Sequence, residues 1–533
     1  MTHSASLKRA EDFVDFLNAS PTPFHAVLSA RKRLEAAGFK QIRVRHQLHM
    51  LQGTNQQQER DSWNSSLQPG GKYYLTRNTS TIIAFAIGHD WKPGNPVAMV
   101  GAHTDSPCLR LKPISKRTAD GFLQVAVETY GGGMWHTWFD RDLGVAGRVM
   151  IRKGGQIEQR LVRISRPICR IPNLAVHFGG SVPFEFNKES QLFPIAGLVS
   201  AELNRTGQTS DEIKKQDAEK EKESAFAPLK TPLQRHHTLL IELIAQEADC
   251  KPEDVVDFEL VMYDTQASCL GGLNNEFVFS ARLDNLGMTY CAVEGIIASL
   301  TEASALKNDS TIRLIACFDH EEIGSTSAQG AASNILPAVL RRLSCLPSGS
   351  DGDSANSDKT WSKISAPDDL ATAFEQTCAT SFLVSADMAH SVNPNYAGKY
   401  EQEHRPEMNA GTVIKVNANV RYATNSPGIV LLQECARRAQ PSSFRPPGSK
   451  STKDDAGVPL QLFVVRNDCP CGSTIGPMLS ASLGVRTIDV GNPQLSMHSI
   501  RETAGSYDVE HGINLFESFF EHYGELEAKV LVD

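Results

Sequence analysis

Four short apolar runs in this chain stop abruptly at charged or titratable residues, and that punctuation limits the fold more than any other feature. Pro96-Val97-Ala98-Met99-Val100-Gly101-Ala102 gives way to His103-Thr104-Asp105. Thr311-Ile312-Arg313-Leu314-Ile315-Ala316-Cys317-Phe318 ends at Asp319-His320-Glu321-Glu322, and Ser381-Phe382-Leu383-Val384-Ser385-Ala386 ends at Asp387. Val485-Arg486-Thr487-Ile488-Asp489-Val490 leads to Gly491 and, after a short loop, His498. Runs of this length with polar boundaries read as strands covered on both faces. Helical patterns lie between them, for example 285–300 and 337–343, the second opening on a proline suited to a first helical position. The alternation predicts an α/β architecture with a doubly wound sheet. Such sheets bind ligands beyond the carboxyl ends of their strands, so the four polar clusters are expected to converge.

At 533 residues the chain exceeds a single typical core, and two domains are expected. The net charge of -8 argues against a general nucleic-acid binder, which needs a concentrated basic surface. No apolar run reaches the length of a membrane span; the longest candidate, 289–300, is interrupted by Glu294. The N-terminal residues are polar and lack a basic segment followed by an apolar one, so no secretory signal is expected. The 11 cysteines are scattered and mostly lie in apolar stretches, as reduced thiols do in a cytoplasmic protein. Cys469-Pro470-Cys471 lacks a second pair to complete a zinc site and reads as structural. Four polar or Pro/Gly-rich stretches, 54–68, 206–224, 347–367 and 440–457, read as exposed insertions.

The converging clusters offer two histidines and three carboxylates, His103, Asp284, Glu322, Asp387 and His498. That set suits two divalent cations such as zinc, manganese or cobalt. Two ions about 3.5–4 Å apart can polarise a carbonyl and lower the pKa of a shared water. Glu321, beside the proposed ligand Glu322, is placed to act as a general base. Asp105, two residues after His103, could hold the other ring nitrogen of that histidine. Each signal has a plainer alternative: a turn histidine, a carboxylate pair at a helix start, and Asp284 as a helix cap. Only their coincidence at the strand ends favours the metal reading.

Longer motifs point the same way. His103-Thr104-Asp105-Ser106-Pro107-Cys108-Leu109-Arg110, Tyr130-Gly131-Gly132-Gly133-Met134-Trp135, Trp138-Phe139-Asp140-Arg141-Asp142-Leu143 and Arg282-Leu283-Asp284-Asn285-Leu286 resemble the aspartyl aminopeptidases, a family of dinuclear zinc exopeptidases. So do Glu321-Glu322-Ile323-Gly324-Ser325, Ser327-Ala328-Gln329-Gly330, Ser385-Ala386-Asp387-Met388-Ala389-His390, Asn393-Pro394-Asn395-Tyr396 and Pro493-Gln494-Leu495-Ser496-Met497-His498-Ser499-Ile500-Arg501-Glu502. The likeness runs from about Phe13 to the end of the chain. Cys469 and His136 depart from the pattern in replacing small polar residues, and neither is a proposed ligand.

The resemblance implies a mixed-sheet metallopeptidase domain, 1–107 and 259–533, split by an inserted β-rich dimerisation domain, 108–258. It implies that Asp284 bridges two ions, most simply Zn2+, with His103 and Asp387 on one and Glu322 and His498 on the other. Glu321 would be the base. Lys415, Tyr422 and His390 match the family's substrate contacts, and His177 matches a histidine supplied by a neighbouring subunit. The expected substrates are peptides with an acidic N-terminal residue, and the expected assembly is a dodecamer built from dimers. No nucleic-acid or membrane partner is expected. The location expected is cytoplasmic, with later vacuolar delivery left open. Two competing readings are a broader vacuolar-type aminopeptidase preferring apolar N-termini and a self-assembling shell with a vestigial site.

Overall fold

The structure is a computed structural model that describes residues 3–42, 67–178, 184–206, 229–346, 370–442, 457–530 and 532. Apart from their ends, the four stretches expected as insertions lie outside those residues. One end corrects the expectation: Leu67, read as part of an exposed stretch, is fully buried in an apolar core. The described chain divides into two compact units. One comprises Met1–Asp105, Ser268–Met497 and Glu502–Asp533, and the other Ser106–Ala267 with His498–Arg501.

The first unit is built on a nine-stranded mixed sheet. Across it run Lys40–Gln41, Lys72–Arg77, Thr81–Ile87, Ile312–Phe318, Val97–His103, Phe382–Ala386, Arg486–Gly491, Thr412–Val416 and Leu460–Val464. The three strands Ile312–Phe318, Val97–His103 and Phe382–Ala386 are neighbours and parallel. Side chains alternate across a strand, so a strand covered on both faces feeds two cores. Val97–His103 does so: Val97 and Met99 join one cluster, and Ala98, Val100 and Ala102 the other. Small residues dominate the second set, which lets helices approach closely.

Helices cover both faces, as the alternating sequence requires. Leu283–Ala298, His3–Ala19, Pro23–Ala36, Ser426–Arg438 and Asp508–Glu527 contribute to the larger core, and Ile335–Ser344 and Ile475–Leu483 to the smaller. The helix expected at 337–343 begins at Ile335, so Pro337 is its third residue rather than its first. The proline is tolerated there because the first four amides of a helix have no intrahelical acceptor. Gly295 brings the helices Leu283–Ala298 and Asp508–Glu527 together, since a Cβ there would sit 2.7 Å from Cβ of Phe516. A five-stranded sheet, Cys269–Gly271, Phe277–Ser280, Glu502–Gly505, Pro493–Leu495 and Ala389–His390, completes this unit. Its strand Pro493–Leu495 occupies what was expected to be a plain loop between Gly491 and His498.

The second unit centres on a six-stranded antiparallel sheet in the order Gln156–Cys169, Leu143–Lys153, Val255–Asp264, Cys108–Ala119, Phe122–Tyr130 and Ile195–Leu198. Leu240, Ile241 and Ile244 of the helix Thr238–Glu247 bury against it with Leu109, Val149 and Leu260. The strand Val255–Asp264 pairs along its length with Leu143–Lys153, and this compact unit runs on to Ala267.

Phe516 is fully buried at the Gly295 crossing. Truncating it there leaves a cavity that rigid helices cannot close. Phe516→Ala is expected to cost about 3–5 kcal/mol, read as a lower denaturation midpoint at unchanged slope. A change below about 1 kcal/mol would show that the crossing can collapse around the missing ring.

Candidate metal centre

Strand register places the first ligands. Phe318 pairs with His103, and Gly101 pairs with Ser385, two residues before Asp387. Three neighbouring parallel strands thus end at one level, and the residues just beyond them face the same space. His103 is 1% exposed. Its Nε2 lies 3.3 Å from Asp284 Oδ1, 3.5 Å from Asp387 Oδ1 and 3.9 Å from Glu321 Oε2. One ligand atom each from His103, Asp284 and Glu322 fall within 4.8 Å of one another. Three of the four strand-end clusters therefore meet, joined by Asp284 from the start of the helix Leu283–Ala298.

Asp105 does more than the sequence suggested. Its Oδ1 lies 3.4 Å from His103 Nδ1, and its own carbonyl is nearer, at 3.1 Å. Its carboxylate also accepts the backbone N–H groups of Glu321 and Glu322, at 3.1 and 3.2 Å. One buried aspartate therefore fixes both the histidine and the turn that carries the glutamate pair. Two acceptors facing Nδ1 keep a proton there and leave Nε2 directed at the carboxylates.

The electrostatics are those of a cation site. Burial opposes a charged imidazole at His103, yet Asp105, Asp284 and Asp387 outweigh it and hold the proton well above the usual histidine range. Burial, with repulsion from Asp387, Asp284 and Asp105 and against the attraction of His103, pushes Glu321 up to about 7. His103 Nε2 and Asp387 Oδ1 are buried and find no hydrogen-bond partner among the described residues, although they face each other. Such groups are costly to bury unless a cation completes them. Donors about 3.3 Å apart form the edge of a tetrahedron with metal–ligand bonds of about 2.0 Å, the zinc value. The donor set fits a divalent metal.

Several supporting residues were not read from the sequence. Glu502 is buried and accepts the Asp284 N–H at 3.2 Å and the Gln494 side-chain amide at 3.2 Å. The amide of Asn285 donates to the Ala386 carbonyl at 2.8 Å, and the Thr289 hydroxyl donates to the His103 carbonyl at 2.7 Å. Asp489, wholly buried, accepts the Ala423 N–H and the Thr474 hydroxyl and so fixes the loop after Tyr422. A charge inside the apolar run 485–490 was the available signal for Asp489; Glu502 and Asn285 gave none beyond their places in motifs.

Lys415 is not an exposed strand residue. It is 4% exposed, with Nζ 3.7 Å from Asp387 Oδ2 and 5.5 Å from the centre of the Tyr422 ring. Tyr422 is buried and accepts from the Cys471 thiol at 3.5 Å. His390 is exposed and edge-on to Phe463, the ladder partner of Lys415. His177 and His498 fall in the second unit. The first is exposed in the turn Val176–Phe178. The second has a left-handed backbone (φ 67°) and an Nδ1–H that donates to the Gly132 carbonyl at 3.2 Å.

A buried cluster of histidine and carboxylates at the ends of parallel strands is what a metallopeptidase requires, and the sequence comparison agrees. The Aminopeptidase I zinc metalloprotease (M18) family matches residues 16–520, and the chain belongs to that family. An aspartyl aminopeptidase from Aspergillus oryzae is 61% identical over 526 residues, covering 98% of each chain. The cryo-EM structure of the Ape4 and Nbr1 complex contains a chain of 44% identity with a TM-score of 0.82, covering 99% of this chain and 88% of its own. The Saccharomyces cerevisiae mApe1 dodecamer matches at 29% identity and a TM-score of 0.73, with 98% of each chain covered.

Gly491 abuts this centre. A Cβ there would lie 1.6 Å from the Asp387 carbonyl oxygen, closer than any atoms can pack. Gly491→Ala is expected to displace Asp387 and reduce bound zinc in metal analysis of the purified protein. Full zinc occupancy in that variant would show that Asp387 is not needed to hold the metal.

Proposed function

We propose that this protein removes N-terminal Asp or Glu from peptides at a two-metal site, with Glu321 as the general base. The observation that carries the substrate class is Lys415, a buried cation beside the metal cluster. The name borne by the Aspergillus oryzae relative supports the same class. The residues that would hold the ions are His103, Asp284, Glu322, Asp387 and His498. Zn2+ is the natural occupant, as expected for this zinc family. His498 is assigned from its sequence motif alone. When bound, the ions supply Lewis acidity for the scissile carbonyl and for the attacking water.

The protein's own groups do the rest. Glu321 takes a proton from the attacking water and delivers it to the nitrogen of the departing peptide as the C–N bond breaks. Its partial burial keeps its basicity above that of a free carboxylate. Lys415 pairs with the carboxylate of the substrate's first side chain, steadied by the face of Tyr422. His390 and, from a neighbouring subunit, His177 complete the substrate contacts. A leucyl side chain would leave Lys415 buried against an apolar group, which costs several kcal/mol. The second unit is proposed to pair protomers, with dimers assembling into a dodecamer of the kind found for Saccharomyces cerevisiae mApe1. Among the described residues no helix is long and apolar enough to cross a membrane. All eleven cysteines are free, in keeping with a cytoplasmic address.

Aspartyl, glutamyl and leucyl chromogenic amides discriminate the substrate class: the acidic pair should turn over faster, and a faster leucyl reaction would overturn it. Glu321→Gln should keep its metal and lose about 100-fold or more in kcat. A variant retaining the wild-type rate would remove Glu321 as the base. Lys415→Met should lose about 100-fold in kcat/KM for the aspartyl substrate and much less for the leucyl one. Equal losses on both would deny Lys415 a role in specificity.

A further inference from the structure

Arg282, two residues before Asp284, has a left-handed backbone (φ 62°), a strained conformation for a residue with a long side chain. Such a residue persists only where its surroundings hold it. Its guanidinium reaches back to the tip of the N-terminal helical hairpin, Nε donating to the Ser20 carbonyl at 3.1 Å and Nη2 to the Leu17 carbonyl at 3.3 Å. The Leu17 carbonyl, in the last turn of the helix His3–Ala19, also accepts the Ser20 N–H at 3.1 Å, and the Ser20 carbonyl lies just past the helix end, a region that carries partial negative charge. An arginine is thus used as an external cap, with charge-assisted bonds.

The same tip is tied to the chain leading into Asp284 by a second set of bonds. Asn18 and Ser268 exchange hydrogen bonds, Asn18 Nδ2 donating to the Ser268 carbonyl at 3.2 Å and the Ser268 N–H to Asn18 Oδ1 at 2.8 Å. Ser268 Oγ lies 2.7 Å from Ser280 Oγ, whose hydroxyl bonds the Ala281 carbonyl at 2.7 Å. The tip therefore grips both sides of the short strand Phe277–Ser280 and the turn that follows. Further along, Arg33 of the second helix of the hairpin bonds Asp12 through two nitrogens, at 2.7 and 2.8 Å, and Glu294 at 3.0 Å. Tyr290 donates to the same Asp12 at 2.6 Å. That network docks the hairpin on the body of the helix, about one and a half to three turns beyond Asp284.

We infer that Arg282 is a positioning residue for the metal centre: by gripping the Leu17–Ser20 carbonyls it sets the turn that aims the Asp284 carboxylate, making the N-terminal hairpin part of the metal-site framework. The inference rests on the reading of Asp284 as a metal ligand. Arg33 and Asp12 serve a different purpose, since they hold the hairpin to the helix without touching the turn. Loss of the Arg282 bonds should free the Asp284 turn, whereas loss of the Arg33 bonds should loosen the hairpin's base and leave the turn gripped.

The test measures zinc affinity of the full-length protein by chelator competition, together with thermal unfolding and kcat and KM on an aspartyl amide. Arg282→Ala should weaken zinc binding by about 10-fold or more and lower kcat with little change in KM at saturating zinc. Arg282→Lys, which keeps a donor within reach of one carbonyl, should recover part of that loss. Arg33→Met should lower the unfolding temperature while zinc affinity stays within about 2-fold of wild type. Wild-type zinc affinity in Arg282→Ala, or an equal loss of affinity in Arg33→Met, would overturn the inference, the second by reducing the effect to general destabilisation. Should Arg282→Ala fail to fold, Arg282→Lys and Asn18→Ala carry the same comparison, and wild-type affinity in both would overturn it. Asp284→Asn is the control for the underlying reading: if it keeps zinc, the ligand assignment fails, and if it alone loses zinc, only the role of Arg282 does.

Discussion

A single buried imidazole organises the candidate metal centre of the first unit. His103 stands at the end of a fully covered strand with carboxylates on both of its nitrogens, Asp105 on one side and Asp284, Asp387 and Glu321 on the other. So much negative charge cannot be buried around one histidine without compensation. The supporting bonds make sense as the means of holding repelling groups in place. Glu502 restrains Asp284 through its backbone, Asp105 restrains the glutamate turn, and Thr289 restrains the strand end itself. The fold holds these groups close, and a divalent cation would relieve the repulsion between them.

Much of this was legible in the sequence because it is written in continuous apolar runs and in strand punctuation. An apolar run that halts at His103, Asp319 or Asp387 states both the strand and its functional end. Parallel register then brings the ends level without further information. Lys415 was legible only through a motif, because one lysine in a strand looks the same whether it faces water or a carboxylate. Its burial against Asp387 and Tyr422 depends on a ladder between strands far apart in the chain.

The residues that escaped are those whose role is set by three-dimensional bonds rather than local pattern. Glu502 and Asn285 are polar residues among polar residues, and nothing in their spacing announces that they restrain the metal-site turn. The extent of the strand Val255–Asp264 is set by its pairing, and its sequence shows no composition change at 258. Pro337 was read as a helix start because proline is tolerated throughout the first turn, so it marks a start only to within a few residues.

The alternation of Val97–His103 between two cores has a consequence for how such a chain can change length over evolution. Adding or removing one residue within that strand would send Met99 and Val100 to each other's side and turn His103 to the opposite face. Packing and chemistry would fail together, so a one-residue insertion or deletion is not tolerated there. Length can vary only between the elements that set the register. The long polar stretches of the sequence, 54–68, 206–224, 347–367 and 440–457, lie outside the strands that end at the metal centre.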